Sequence, residues 1–217
     1  MKKVITTILS IMLVLCLSGC NKEPEITFDV QSYVAHGIEC YKYDGIEYPA
    51  VFGLPQMLDE EMDLLRKENS FGSVYKSITN LPDCFRYLKA HSIKPGETDD
   101  YMDLLENGEG TPRSACNLMI YLLGDVYEES GRIDLYASNN YYAYVCIKID
   151  GIYYLFDPFY LMASNGWYSY IQEGIPVSGR TVDELIDVIL ETRKNENFSR
   201  HEYLSIYRKI ASETEAE

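Results

Sequence analysis

Residues 110–123, GTPRSACNLMIYLL, and residues 142–158, YAYVCIKIDGIYYLFDP, decide the fold of this chain. In the first stretch Thr111 and Pro112 precede an apolar run. Thr is a good helix N-cap and Pro suits the first helical position, so a long helix is predicted from Pro112 to about residue 126. In the second, Asp150-Gly151 separates two runs rich in β-branched and aromatic residues, 142–149 and 152–156. Both central positions of an Asp-Gly turn accept positive φ, so these runs are expected to pair as a hairpin. By the strand period of two, Tyr142, Tyr144 and Cys146 share one face.

Working outward, a second hairpin is predicted over residues 39–52: ECYKY, then Asp44-Gly45, then IEYPAVF. Pro49 confines its second arm to an edge or cuts it short. Leu58, Met62 and Leu65 follow helical spacing through EEMDLLRK. Pro82-Asp83 starts a helix over 83–90 that packs Phe85 and Leu88, and a short helix is expected over 99–105. Thr181-x-x-Glu184 is a capping box ahead of LIDVILETRK. Ser199 is expected to cap a last helix, HEYLSIYRKI, before an acidic tail. Helices leading into antiparallel strands, without regular βαβ alternation, argue for the α+β class.

The chain opens MKKVITTILSIMLVLCLSGC. Two lysines, a short apolar run and then small residues read as an export signal, the run being too short for a comfortable transmembrane helix. Leu17-Ser18-Gly19-Cys20 looks like the lipobox of a bacterial lipoprotein. The organisation expected is a signal over 1–19, a lipidated Cys20 with a tether over 20–27, and one domain over 28–217. That places the protein outside the cytoplasm, anchored to the membrane by lipid on Cys20. The signal holds two of the 19 basic residues and none of the 34 acidic ones, leaving 17 against 34, a net −17. Such a surface repels a polyanionic backbone, which excludes nucleic acid as a partner. Cys40, Cys84, Cys116 and Cys146 remain, as free thiols or in one of three disulfide pairings.

The two opening stretches together resemble the core of the transglutaminase-like (papain-like) superfamily. That family reads Gly-x-Cys before an apolar helix, His-Ala-Trp on a strand and Asp-Pro on the next. Overlaid without gaps inside either block, its Cys falls on Pro112, its His on Tyr142 and its Asp on Asp157. The resemblance implies that fold, with helices packed on a mostly antiparallel sheet. It also implies a family chemistry that needs a thiolate at a helix N-terminus, an imidazole beside it and a carboxylate to orient the imidazole. Here proline has no nucleophile, and a phenol with an ordinary pKa near 10 is a donor at neutral pH. Asp157 is the retained member of a degenerate triad, within reach of a hydrogen bond from Tyr142.

Cys116 is the alternative nucleophile. It lies one turn inside the helix, in the family's small core-facing column, where a cysteine is usually packing. His36, His91 and His201 do not follow the order Cys, His, Asp. The expectation is therefore a pseudoenzyme: a non-catalytic binding or scaffold role at the cell envelope. The alternative is a diverged cysteine hydrolase or transglutaminase using Cys116. Tyr142, Tyr144 and Trp167 are candidate binding residues for an envelope protein, peptide or glycan. No cofactor is expected, and three scattered histidines without close cysteine pairs argue against a metal.

Overall fold

The computed structural model describes residues 28–67, 74, 77–91, 93–123, 126–127, 129–137, 140–162, 169–194 and 208–209. The first strands, β1 (Gln31–Ala35), β2 (Ile38–Tyr43) and β3 (Ile46–Pro49), form an antiparallel sheet in that order. Asp44 and Gly45 take φ of 50° and 68°, the doubly positive turn their sequence predicts. Pro49 ends β3 on the edge of the sheet, and the chain enters a 3-10 turn, Ala50–Phe52.

Helix α1 (Asp59–Lys67) buries Met62 and Leu65. Helix α2 (Leu81–Lys89) begins two residues earlier than its sequence suggests, because Asn80 is the cap: its Oδ1 accepts the Asp83 N–H at 2.8 Å. Helix α3 (Tyr101–Asn107) is capped by Asp100 and closes on a left-handed Gly108. A two-residue parallel pair, β4 (Lys94–Pro95) with β5 (Glu109–Gly110), then delivers the chain to α4 (Pro112–Leu123).

The larger sheet runs β11 (Ser178–Gly179), β8 (Ile152–Phe156), β7 (Asn140–Ile149), β6 (Ser130–Ala137) and β12 (Arg208–Lys209), every pairing antiparallel. Its long strands are β6, β7 and β8. The β7–β8 turn has Asp150 at φ 50° and Gly151 at φ 80°. After α5 (Pro158–Met162) come a small hairpin of β9 (Ile171–Gln172) with β10 (Ile175–Pro176), the edge strand β11 (Ser178–Gly179), and α6 (Val182–Thr192). The Thr181 hydroxyl caps α6 by accepting the Glu184 N–H at 3.3 Å. The returning Glu184 carboxylate accepts from the N–H of Arg180, one residue before the cap. Arg208 and Lys209, expected inside a last helix, instead form β12 against β6. The rest of that predicted helix lies outside the described residues.

The period of two sorts the large sheet into two cores. Ala143, Val145, Ile147 and Phe156 face α2, α4 and α5, with Ala115, Cys116, Leu118, Met119, Phe85 and Leu88 packed over them. Phe52 stands 5.1 Å from Tyr154 and 5.5 Å from Phe156, and Tyr48 touches Phe85, which joins the small sheet to this core. Ile133, Leu135, Tyr144, Cys146 and Leu155 face the other way, under Leu185, Ile186 and Ile189 of α6. The class is α+β. Among the described residues no helix is long and apolar enough to cross a membrane.

A buried ion pair fastens the loop ahead of α1 to α2. Asp83 accepts the Gln56 and Met57 N–H groups at 2.9 and 3.0 Å and a guanidinium N–H of Arg86 at 2.9 Å. Arg86 also donates to the Met57 carbonyl at 2.6 Å, so neither buried charge lacks a partner.

Candidate functional site

The start of α4 is built by its own residues. Thr111 Oγ1 accepts the Ser114 N–H at 3.2 Å, and Ser114 Oγ accepts the Thr111 N–H at 2.9 Å, a reciprocal cap with serine in place of the usual Glu. Gly110 is required by crowding, since a Cβ there would collide with Ser114 Oγ and stand 3.2 Å from Leu104 Cδ1. Pro112 is thus the first residue of a capped helix and presents no reactive group. Cys116 has no exposed surface. Burial, with the Asp157 charge second, raises its thiol pKa well above the ordinary value, so the thiolate is disfavoured there. All four cysteines from Cys40 to Cys146 are free buried thiols.

Because Ala143, Val145 and Ile147 face α4, Tyr142, Tyr144 and Cys146 point to the opposite side of β7. The β7 residue that meets the head of α4 is Tyr141. Its hydroxyl accepts from Arg113 Nε at 2.9 Å and donates to Asp134 Oδ1 at 2.8 Å. Arg132 holds the same carboxylate through Nε at 2.8 Å and Nη2 at 3.0 Å, and its Nη1 donates to Asn117 Oδ1. Arg113 also donates to Asp99 and to the Tyr136 hydroxyl, each at 2.6 Å, and Asp99 accepts from Thr111. Helix α4 lies mainly over β7 and also reaches β6, so Arg113 and Asn117, one turn apart, meet Arg132, Asp134 and Tyr136, alternate residues of β6. These contacts form a polar zipper along the boundary. Asp134 is 1 % exposed, and the zipper supplies no imidazole and no thiol. Burial and the Asp134 hydrogen bond raise the Tyr141 pKa, so that phenol is a fixed donor and not a base.

On the α6 side lies a second polar constellation. The pairing of Val145 with Phe156, continued one step, sets Tyr144, and not Tyr142, across from Asp157. Asp157 caps α5: its Oδ1 accepts the Tyr160 N–H at 3.0 Å. Its charged neighbour is Arg193, at the C-cap of α6. The guanidinium carbon sits 3.9 Å from the centroid of the Tyr142 ring, and Arg193 Nε donates to the Tyr144 hydroxyl at 2.9 Å. Tyr170 meets Tyr144 edge-on at 5.4 Å, its hydroxyl within hydrogen-bonding reach of Arg193 and Thr192. Arg193 thus joins the Tyr142 ring to the Tyr144 hydroxyl, and its charge acts on Asp157. Burial raises the Asp157 pKa, opposed by the Tyr160 N–H and by Arg193.

Tyr144, one of the candidate binding residues, has no exposed surface, because α6 covers that face. Trp167, Cys20, the 20–27 tether and His201 lie outside the described residues. His91 hydrogen-bonds the Tyr87 carbonyl at 2.9 Å, and His36 packs against Gly174 in the β9–β10 turn. Two surface clefts, of about 430 and 370 Å³, are lined by Gln56, Glu61 and Thr79 and by Gln172, Ile175 and Val188 respectively. Neither includes Pro112, Cys116, Tyr142 or Asp157. Among the described residues no group of three or more His, Cys, Asp or Glu side chains is placed to hold a metal ion.

Arg113, Arg132, Asp134, Tyr141 and Arg193 are the residues that sequence reasoning missed. One signal was available. In Arg132-Ile133-Asp134-Leu135-Tyr136 the polar residues alternate with apolar ones, which places an arginine, a carboxylate and a phenol on one face of a strand. No family model, no curated protein and no solved structure matches this chain.

Proposed function

We propose that this chain is an exported, lipid-anchored protein of a bacterial cell envelope with a non-catalytic binding or scaffold role. Its α+β domain is read as a catalytically degenerate form of the transglutaminase-like (papain-like) fold. One observation carries the non-catalytic reading. The ground between the head of α4 and the strands, where an acyl-transfer site of that kind would need a thiolate and an imidazole, holds the Arg113–Tyr141–Asp134–Arg132 zipper. Every polar group of it is already bonded to another, and the helix begins with proline. The apolar leader ending in Leu17-Ser18-Gly19-Cys20 supports export and lipid attachment.

The full chain purified in detergent is expected to show no thiol-dependent transamidation or peptide hydrolysis. Turnover that disappears on Cys116→Ala would overturn the reading in favour of a cysteine hydrolase. Burial and a raised thiol pKa both weigh against that rival. Iodoacetamide at neutral pH is expected to label Cys116 only at the rate at which the domain opens. For the anchor, palmitate labelling and membrane recovery are expected to be lost in Cys20→Ser, and their persistence would refute it.

A further inference from the structure

We propose that Tyr142, Tyr144, Tyr170 and Asp157 form a recognition site for a guanidinium or ammonium side chain, and that Arg193 is its built-in occupant. The proposal rests on the binding role given above and names the chemical class of the ligand. Four observations converge on it. The Tyr142 ring presents its face to a guanidinium at 3.9 Å, within the distance at which the ring quadrupole attracts a cation. The Tyr144 hydroxyl accepts from Nε at 2.9 Å, and the Tyr170 hydroxyl is in reach of the same side chain. Asp157 supplies an opposite charge on the same side of the sheet, across from Tyr144, close enough to feel the Arg193 charge. These are the elements of a cation cage: a ring face, hydroxyl acceptors and a carboxylate.

The cage is assembled from rigid parts. Tyr142 and Tyr144 are alternate residues of one central strand. Tyr170 is fixed by its own backbone, its N–H donating to the Leu155 carbonyl at 2.8 Å. The occupant is held less firmly. Arg193 is the C-cap of α6, with φ −107° and ψ 22°; its N–H closes the last helical bond, to the Ile189 carbonyl at 3.0 Å, and no residue of α6 follows it. Fraying of this last turn breaks the single Arg193–Ile189 backbone bond and withdraws the guanidinium, while the Leu185, Ile186 and Ile189 side chains stay packed in the core. Arg193 therefore acts as a plug. A basic segment of a partner, drawn to a chain with an excess of 15 acidic over basic side chains, competes with it for the same rings.

The test uses the full chain in detergent, with N-acetyl-arginine amide as the probe and calorimetry as the readout. Arg193→Ala is expected to bind the probe about tenfold more tightly than wild type, the size of one desolvated cation–π contact. Adding Tyr142→Ala is expected to remove that gain. Equal affinity in wild type and Arg193→Ala would overturn the proposal, as would the absence of saturable binding in a folded Arg193→Ala protein. If that variant is too unstable to titrate, low-millimolar guanidinium should raise its melting temperature and leave wild type unchanged; no such rescue also overturns it. Cys116-dependent turnover would defeat the non-catalytic reading without altering the probe result, so the two failures are distinguishable.

Discussion

The two faces of β7 hold their cations in different ways. On the α4 side, Arg113 and Arg132 converge with Tyr141 on Asp134, a carboxylate with 1 % exposure and bonds of 2.8–3.0 Å from Arg132 and Tyr141. On the α6 side, Arg193 rests on a ring face and two hydroxyls at the end of a helix. A buried ion pair is costly to break because each partner leaves the other uncompensated in a poor solvent. A ring face that loses its cation keeps its apolar contacts and needs no counter-charge. The first arrangement locks two elements together, whereas the second can exchange its occupant.

The largest effect expected from breaking this contrast is at Asp134. Replacement by Ala leaves Arg113 and Arg132 facing each other without their shared carboxylate. Both guanidiniums keep some access to water, so the loss is set at the lower end for a broken buried pair, about 3 kcal/mol. Urea unfolding at pH 7 measures it; a loss below about 1 kcal/mol would place the zipper among ordinary surface pairs. Arg193→Ala is expected to cost less, about 1–2 kcal/mol, from one cation–π contact and one orphaned buried hydroxyl. Equal losses at the two positions would erase the distinction.

What could be read in advance follows the same contrast. The Asp-Gly turns, the Thr111–Pro112 helix start and the Thr181 cap were legible because each is decided by two to four adjacent residues. The α+β class followed from them. Arg193 was not legible, since its partner Tyr144 is 49 residues away, nor was Arg113, whose partner Tyr141 is 28 away. Nothing local distinguishes those arginines from solvated ones. The β12 pairing failed for a related reason: residues 201–210 carry helical spacing, yet Arg208 and Lys209 find the open edge of β6, a tertiary opportunity that periodicity does not encode. The face of Tyr142 was read correctly relative to Tyr144 and Cys146. Which face meets α4 depends on packing that no local pattern encodes.

A smaller effect tests whether the head of α4 is set locally. Thr111→Ala removes the acceptor for the Ser114 N–H and is expected to cost about 1 kcal/mol in the same unfolding assay. Thr111→Ser should restore most of it. A loss well above that size would mean that the Thr111–Asp99 bond is coupled to the zipper, so that the cap belongs to the locked side of the comparison.

The finest probe is the pH dependence of Asp157, which reports how strongly Arg193 is held. Burial raises its folded pKa above the unfolded value near 4, and the folded state therefore binds this proton more tightly. Its stabilising share is complete below about pH 4 and declines as pH rises through the folded pKa, after which the penalty is constant. Asp157→Asn keeps an oxygen for the Tyr160 N–H and removes the titration. The variant's melting temperature relative to wild type should then climb between pH 4 and neutrality and level off. A relative melting temperature that falls over that range would mean that Arg193 outweighs burial and that the guanidinium is bound as an ion pair, as on the opposite face. In an Arg193→Ala background the climb should steepen, because a cation opposing burial has been withdrawn.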